Sequence, residues 1–75
     1  MIIQSAKQFG EAIRKSRKAQ GLNQTTLAGL SGAGLRFVSE LERGKPTCEL
    51  EKALQIATML GLRISVAIPE DEPNE

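Results

Sequence analysis

QTTLAGLSGAGLRFVSELER, Gln24–Arg43, reads as two short helices joined by a tight turn. Leu27 and Ala28 fall on the inner face of the first helix, Val38 and Leu41 on the inner face of the second. Between them stands Gly32, where the chain must reverse and a positive φ costs a glycine little. Ala28 faces the crossing, and its small side chain lets the two helices approach closely. A lone glycine between helices would be weak evidence, but here each small or apolar position has a separate steric reason.

A helix pair joined by a 3–4-residue turn containing Gly is the helix-turn-helix, which places its second helix in the DNA major groove. The charge distribution suits that reading. Residues 1–45 carry eight basic groups against Glu11, Glu40 and Glu42, a net +5 that the whole-chain charge of +1 conceals. Residues 46–75 carry Lys52 and Arg63 against six carboxylates, a net −4. A basic half suits a polyanion, because counterion release supplies most non-specific affinity for DNA. Charge alone would describe an ordinary solvated surface equally well. It counts here because it falls on the same half as the helix pair.

Outward from that pair, Ser5 and Gln8 have the spacing of a capping box. They predict a first helix from Ala6 to about Gln20, with Ala6, Phe9, Ile13 and Arg17 on one face. Gly21 ends it, Leu22 turns back to the core, and Asn23 caps the helix that opens at Gln24. The third helix spans Leu35–Glu42, and Arg43, Gly44 and Pro46 stop it. A fourth is expected over Glu49–Leu60, with Leu50, Ala53, Leu54, Ala57 and Leu60 turned inward. From Leu62 the period changes to two: Leu62, Ile64, Val66 and Ile68 alternate with Arg63, Ser65 and Ala67, the pattern of a strand. One strand leaves its backbone groups unpaired, so the expectation is pairing with the same strand of a second copy. The alternative partner is Ile2–Gln4 of its own chain. The domain is thus expected to cover 1–68 with a dimerisation strand at 62–68, and 69–75 (PEDEPNE after Ile68) to be a disordered acidic tail.

With 75 residues, a chain buries only about 60% of its unfolded surface, which argues against a large pocketed core. There is no His, Trp or Tyr, and Cys48 is the only thiol. A Cys/His metal site and an intrachain disulfide are excluded within one chain, and a lone thiol fits a reducing compartment. No apolar run approaches the ~20 residues of a membrane span, and Met1–Ile3 is too short for a signal peptide, so the cytoplasm is the expected location. No catalytic constellation stands out: no cofactor is expected, Cys48 lacks a visible base, and Glu40 and Glu42 point to different faces of one helix.

Over Gly21–Lys45, GLNQTTLAGLSGAGLRFVSELERGK, the chain resembles the Xre/Cro–C1 helix-turn-helix family of phage repressors and bacterial regulators. The Gly-Leu-x-Gln-x-x-Leu-Ala opening and the Glu-x-Gly-Lys close both match, and the likeness continues through Leu50–Gly61. It implies an all-α, four-helix, lambda-repressor-like DNA-binding domain. The family's usual fifth helix is replaced by the strand Leu62–Ile68. That departure resembles the HipB-type antitoxin branch, whose members dimerise through a C-terminal strand and bind a HipA-like kinase toxin. The resemblance implies an autoregulating repressor that binds a near-palindromic duplex as a homodimer. Two other readings stay open: a stand-alone repressor without a toxin, and an inhibitor of a partner protein with DNA binding secondary.

By family position Gln24 contacts a phosphate, and a helix N-terminus favours an anion independently. Thr25 beside it could donate its hydroxyl. Leu35, Arg36 and Glu40 would face bases, with Ser39 beside them. Arg36 can pair bidentately with guanine O6 and N7, Leu35 can touch a thymine methyl, and Glu40 can only accept, as from cytosine N4. Phe37 is expected in the core. Arg43, Lys45 and Thr47, on the following loop, look like phosphate contacts. The family also pairs an arginine late in helix one with a glutamate ending helix three, which here are Arg17 and Glu42. Gly34 departs from the usual Ser or Thr cap of helix three, at a cost of a few tenths of a kcal/mol.

Overall fold

The computed structural model describes residues 1–69 and contains α1 (Ala6–Ala19), α2 (Gln24–Ser31), α3 (Leu35–Glu42) and α4 (Leu50–Met59). The expected acidic tail, apart from Pro69, lies outside the described residues. Local chemistry sets the helix ends. Ser5 Oγ accepts from the Gln8 N–H at 3.1 Å, and Asn23 Oδ1 from the Thr26 N–H at 2.7 Å. Each satisfies a donor that would otherwise be orphaned in a first turn. α1, α3 and α4 close in the same way. After α1, for example, the Leu22 N–H reaches the Arg17 carbonyl at 3.1 Å and the Gly21 N–H reaches Lys18 at 3.0 Å. This pair of bonds needs the left-handed residue that Gly21 provides at φ 73°.

The core is small and aliphatic. Ile13, Leu27, Val38 and Ile56, one from each helix, are fully buried at its centre, with Ala28, Leu41, Ala53, Ala57 and Leu60 around them. Phe9, Leu22, Phe37 and Cys48 are half-buried against this cluster, and burial pushes the Cys48 thiol above its ordinary pKa. Gly10 is buried as well. A β-carbon there would lie 2.3 Å from the Leu41 carbonyl oxygen and 2.8 Å from that of Glu42. A glycine in mid-helix costs about 1 kcal/mol of helix propensity; here it lets α1 lie directly on the last turn of α3.

One sequence expectation needs correction. In α4 the buried stripe is Ala53, Ile56, Ala57 and Leu60, while Leu50 is 69% and Leu54 36% exposed. Both stripes have helical spacing, and the small alanines are what let α4 approach the other helices. Leu50 and Leu54 therefore flank the contact instead of filling it. Residues 62–68 form no ladder with Ile2–Gln4, nor with any other described residue of the chain. Leu62 is half-buried against the core, its N–H on the Ala57 carbonyl at 2.9 Å, whereas Ile64, Val66 and Ile68 are exposed. A single chain simply offers these backbone groups no second strand.

Candidate nucleic-acid interface

The α2–α3 pair turns through Gly32, at φ 71°, and Gly34, at φ 91°. Ser31 stitches the reversal together: its hydroxyl donates to the Ala28 carbonyl and accepts from the Ala33 N–H, both at 3.2 Å. Gly34 precedes α3 without a side-chain cap. No side chain thus competes for the first N–H groups of α3, which together with the helix dipole suit an anion.

One buried network fixes the angle of α3. Arg17 Nε donates to Glu42 Oε2 at 2.6 Å and Arg17 Nη2 to Glu42 Oε1 at 2.9 Å, a fork-on-carboxylate pair. Both side chains are almost wholly enclosed. Two further bonds complete it. Arg17 Nη1 donates to the Leu22 carbonyl at 2.8 Å, and the Gln24 side-chain amide donates to Glu42 Oε1 at 3.0 Å. The end of α1, the α1–α2 turn, the start of α2 and the end of α3 are thereby joined through one guanidinium and one carboxylate. Burial pushes the Glu42 carboxyl up, but the hydrogen bonds from Arg17 and Gln24 outweigh it and hold the group below its ordinary value. The bond to Glu42 raises Arg17 further still. Leu22 and Gln24 were not identifiable from the sequence as partners of this pair, since a backbone carbonyl and a neutral amide carry no charge signature.

The residues expected at DNA divide into three groups. Thr25, Leu35, Arg36, Arg43, Lys45 and Thr47 are exposed, Arg36 with 90% of its side chain in solvent. Gln24 is half-buried, and its amide is committed to Glu42 through one N–H, which leaves the other to donate. Ser39 and Glu40 are half-buried on α3. Phe37 packs inward, with Lys52 Nζ 5.7 Å from its ring centroid. Glu40 is not a free acceptor. Its Oε2 receives Arg36 Nε at 3.2 Å and its Oε1 receives Lys45 Nζ at 3.1 Å. Those bonds, Lys45's foremost, hold its carboxyl below the ordinary range.

A groove of about 720 Å³ has Ile2, Ile3, Phe9, Leu50, Leu54 and Ile64 in its walls, together with the polar Arg63 and Ser65. No helix among the described residues is long and apolar enough to cross a membrane.

Comparison with known proteins agrees with this geometry. A helix-turn-helix family model matches residues 13–66. An uncharacterized HTH-type transcriptional regulator, y4mF of Sinorhizobium fredii, is 43% identical over 67 residues, 89% of this chain and 88% of that one. Among solved structures, HipB in a HipB–O4 20mer complex superposes with a TM-score of 0.81 over 93% of this chain and 99% of that one, at 23% identity. A chain described as MDT protein gives the same TM-score, identity and coverage. The turn geometry, the buried pair that sets α3, the family match over most of the chain and the y4mF relative lead to one conclusion: this chain belongs to the helix-turn-helix family of transcriptional regulators.

Proposed function

We propose that this chain is a dimeric, sequence-specific DNA-binding repressor, and the autoregulating antitoxin of a HipBA-like toxin–antitoxin pair rather than an enzyme. The observation that carries the DNA reading is Arg36, exposed on an α3 whose opposite face and far end are locked into the core. A rigid helix with one long, exposed guanidinium, paired only through Nε to Glu40, suits readout of guanine in the major groove, where a bidentate contact discriminates by about 1–3 kcal/mol. Leu35 and Glu40, the latter bonded to Arg36 Nε, lie on the same base-facing side, with Ser39 beside them. Gln24, Thr25, Arg43, Lys45 and Thr47 contact phosphates, which position the protein without specifying sequence.

Dimerisation follows from apolar surface that the single chain leaves uncovered. Ile64, Val66 and Ile68 are 50%, 82% and 61% exposed, and Leu50 and Leu54 line the same groove as Ile64. A second copy supplies both the missing strand partner and the apolar cover, with Leu62 anchoring each strand to its own core. Two recognition helices then meet successive major grooves about 34 Å apart. The antitoxin role is supported by the HipB-type features of the sequence and by the likeness in fold to HipB, and its partner is a HipA-like kinase.

Selection from a pool of random duplexes tests this reading. The expected product is a near-palindrome with half-sites one helical turn apart, and a pool that stays unenriched contradicts it. The same tagged protein, recovered from nuclease-treated lysate of its source, should carry one stoichiometric kinase-like partner. Recovery of the chain alone would remove the toxin and leave a stand-alone repressor.

A further inference from the structure

We infer that Glu40 is a positioning residue for base readout: its carboxylate fixes which edge of Arg36 meets the base and couples that edge to Lys45. The inference rests on the DNA-binding reading above. Arg36 offers two bidentate edges, Nε with Nη2 along its side and Nη1 with Nη2 at its end. Only the second is free here, because Nε is bonded to Glu40 Oε2 at 3.2 Å. The end-on edge matches the two acceptors of guanine, O6 and N7.

Glu40 can hold the guanidinium because it is itself held. Its side chain is 18% exposed, against 90% for Arg36, so it is the fixed member of the pair. Its other oxygen takes Lys45 Nζ at 3.1 Å, across the turn that closes α3. One carboxylate thus joins a base-reading group to a phosphate-contacting one. Each of its oxygens holds one cation, so the carboxylate is committed to this pair before any base arrives. Its negative charge serves a second purpose. An unpaired Arg36 could swing to the nearest phosphate and bind any sequence, and Glu40 opposes that by keeping the guanidinium over the helix. An i,i+4 ion pair at the surface adds little to stability, so the value of this one lies in geometry.

The test uses the duplex recovered by selection, the same duplex with the guanine read by Arg36 replaced, and a random duplex. Glu40→Ala should cut discrimination at that guanine roughly tenfold while affinity for the random duplex stays level or rises. Glu40→Gln, which keeps an acceptor for Nε, should recover part of the loss. Arg36→Ala combined with Glu40→Ala should discriminate no worse than Arg36→Ala alone. The melting temperature of Glu40→Ala should stay within a few degrees of the parent. Two results would overturn the inference: guanine discrimination intact in Glu40→Ala with relaxed preference at a cytosine, which is the signature of a direct reader, or losses that simply add in the double variant. If the parent protein binds no duplex, the DNA reading itself fails, and this role for Glu40 falls with it.

Discussion

Glu42→Ala should lower the melting temperature by more than ten degrees and weaken operator binding at the same time. The substitution leaves Arg17 buried without its counter-charge, retaining only the Leu22 carbonyl, and removes the acceptor of the Gln24 amide. Removing one partner of a buried ion pair costs about 3–5 kcal/mol, and in a domain of this size each kcal/mol moves the midpoint by about 4–8 °C. Calorimetry of the variant measures the effect directly. Replacing the pair together, Arg17→Met with Glu42→Leu, should restore much of the loss, because an apolar pair carries no desolvation penalty. An unchanged midpoint in Glu42→Ala would mean that the pair does not hold the fold.

The same network sets an acid limit. The Glu42 carboxyl is held below its unfolded value near 4.3. Its contribution is therefore complete above that value and is lost as pH falls through the lower, folded one. The difference between parent and Glu42→Ala should be full at pH 7 and should narrow below pH 4.

Gly10→Ala should be comparably damaging, against the usual direction of a glycine-to-alanine change. In an exposed helix that change gains up to about 1 kcal/mol. At Gly10 the new carbon would fall 2.3 Å from one backbone oxygen of α3 and 2.8 Å from another. No rotamer change relieves a clash with main-chain carbonyls, so α1 must lift off α3. That motion also pulls Arg17 away from Glu42, since the two residues sit on the same two helices. The cost should reach about 3 kcal/mol, the upper end for overpacking, seen as a drop of ten degrees or more or as loss of a cooperative transition. Gly29→Ala is the matched control. Nothing lies within 4 Å of a β-carbon at that α2 position, and this variant should melt a few degrees higher. A Gly10→Ala protein as stable as its parent would mean that the α1–α3 approach is looser than the structure shows.

These residues show where sequence reading succeeds and where it stops. The four helices were legible because their signals are local: Ser5 and Asn23 as caps, Gly21, Gly44 and Gly61 at the closing turns, and apolar spacing between them. Gly10 carried no such signal. An absent side chain leaves no mark in a hydrophobic pattern, and its importance exists only once α3 lies against it. α4 failed differently, since Leu50, Ala53, Leu54, Ile56, Ala57 and Leu60 make two overlapping stripes and periodicity cannot choose between them. Tertiary approach favoured the stripe with the small residues.

The candidate site divides along the same line. Which residues α3 exposes follows from helical geometry, so Leu35, Arg36 and their neighbours could be placed in advance. What those side chains hold could not. The Arg36–Glu40 spacing was visible as an i,i+4 pair, yet the second anchor, Lys45, comes from beyond the turn. The Leu22 carbonyl and the Gln24 amide reached the Arg17–Glu42 pair without any charge to announce them. Residues 62–68 read as a strand by pattern, but a strand is a relation between two segments, and the second belongs to another copy in the dimer proposed here.

Whether Arg36 on α3 reads a base is decided by fluorescence anisotropy of the parent and Arg36→Ala. Each protein would be titrated into the selected duplex and a random one at several salt concentrations. Arg36→Ala should lose about tenfold or more in affinity for the selected duplex, change little on the random one, and keep the salt dependence set by the phosphate contacts. An equal loss on both duplexes would make Arg36 one more phosphate contact, and the assignment of α3 as the reading helix would be wrong.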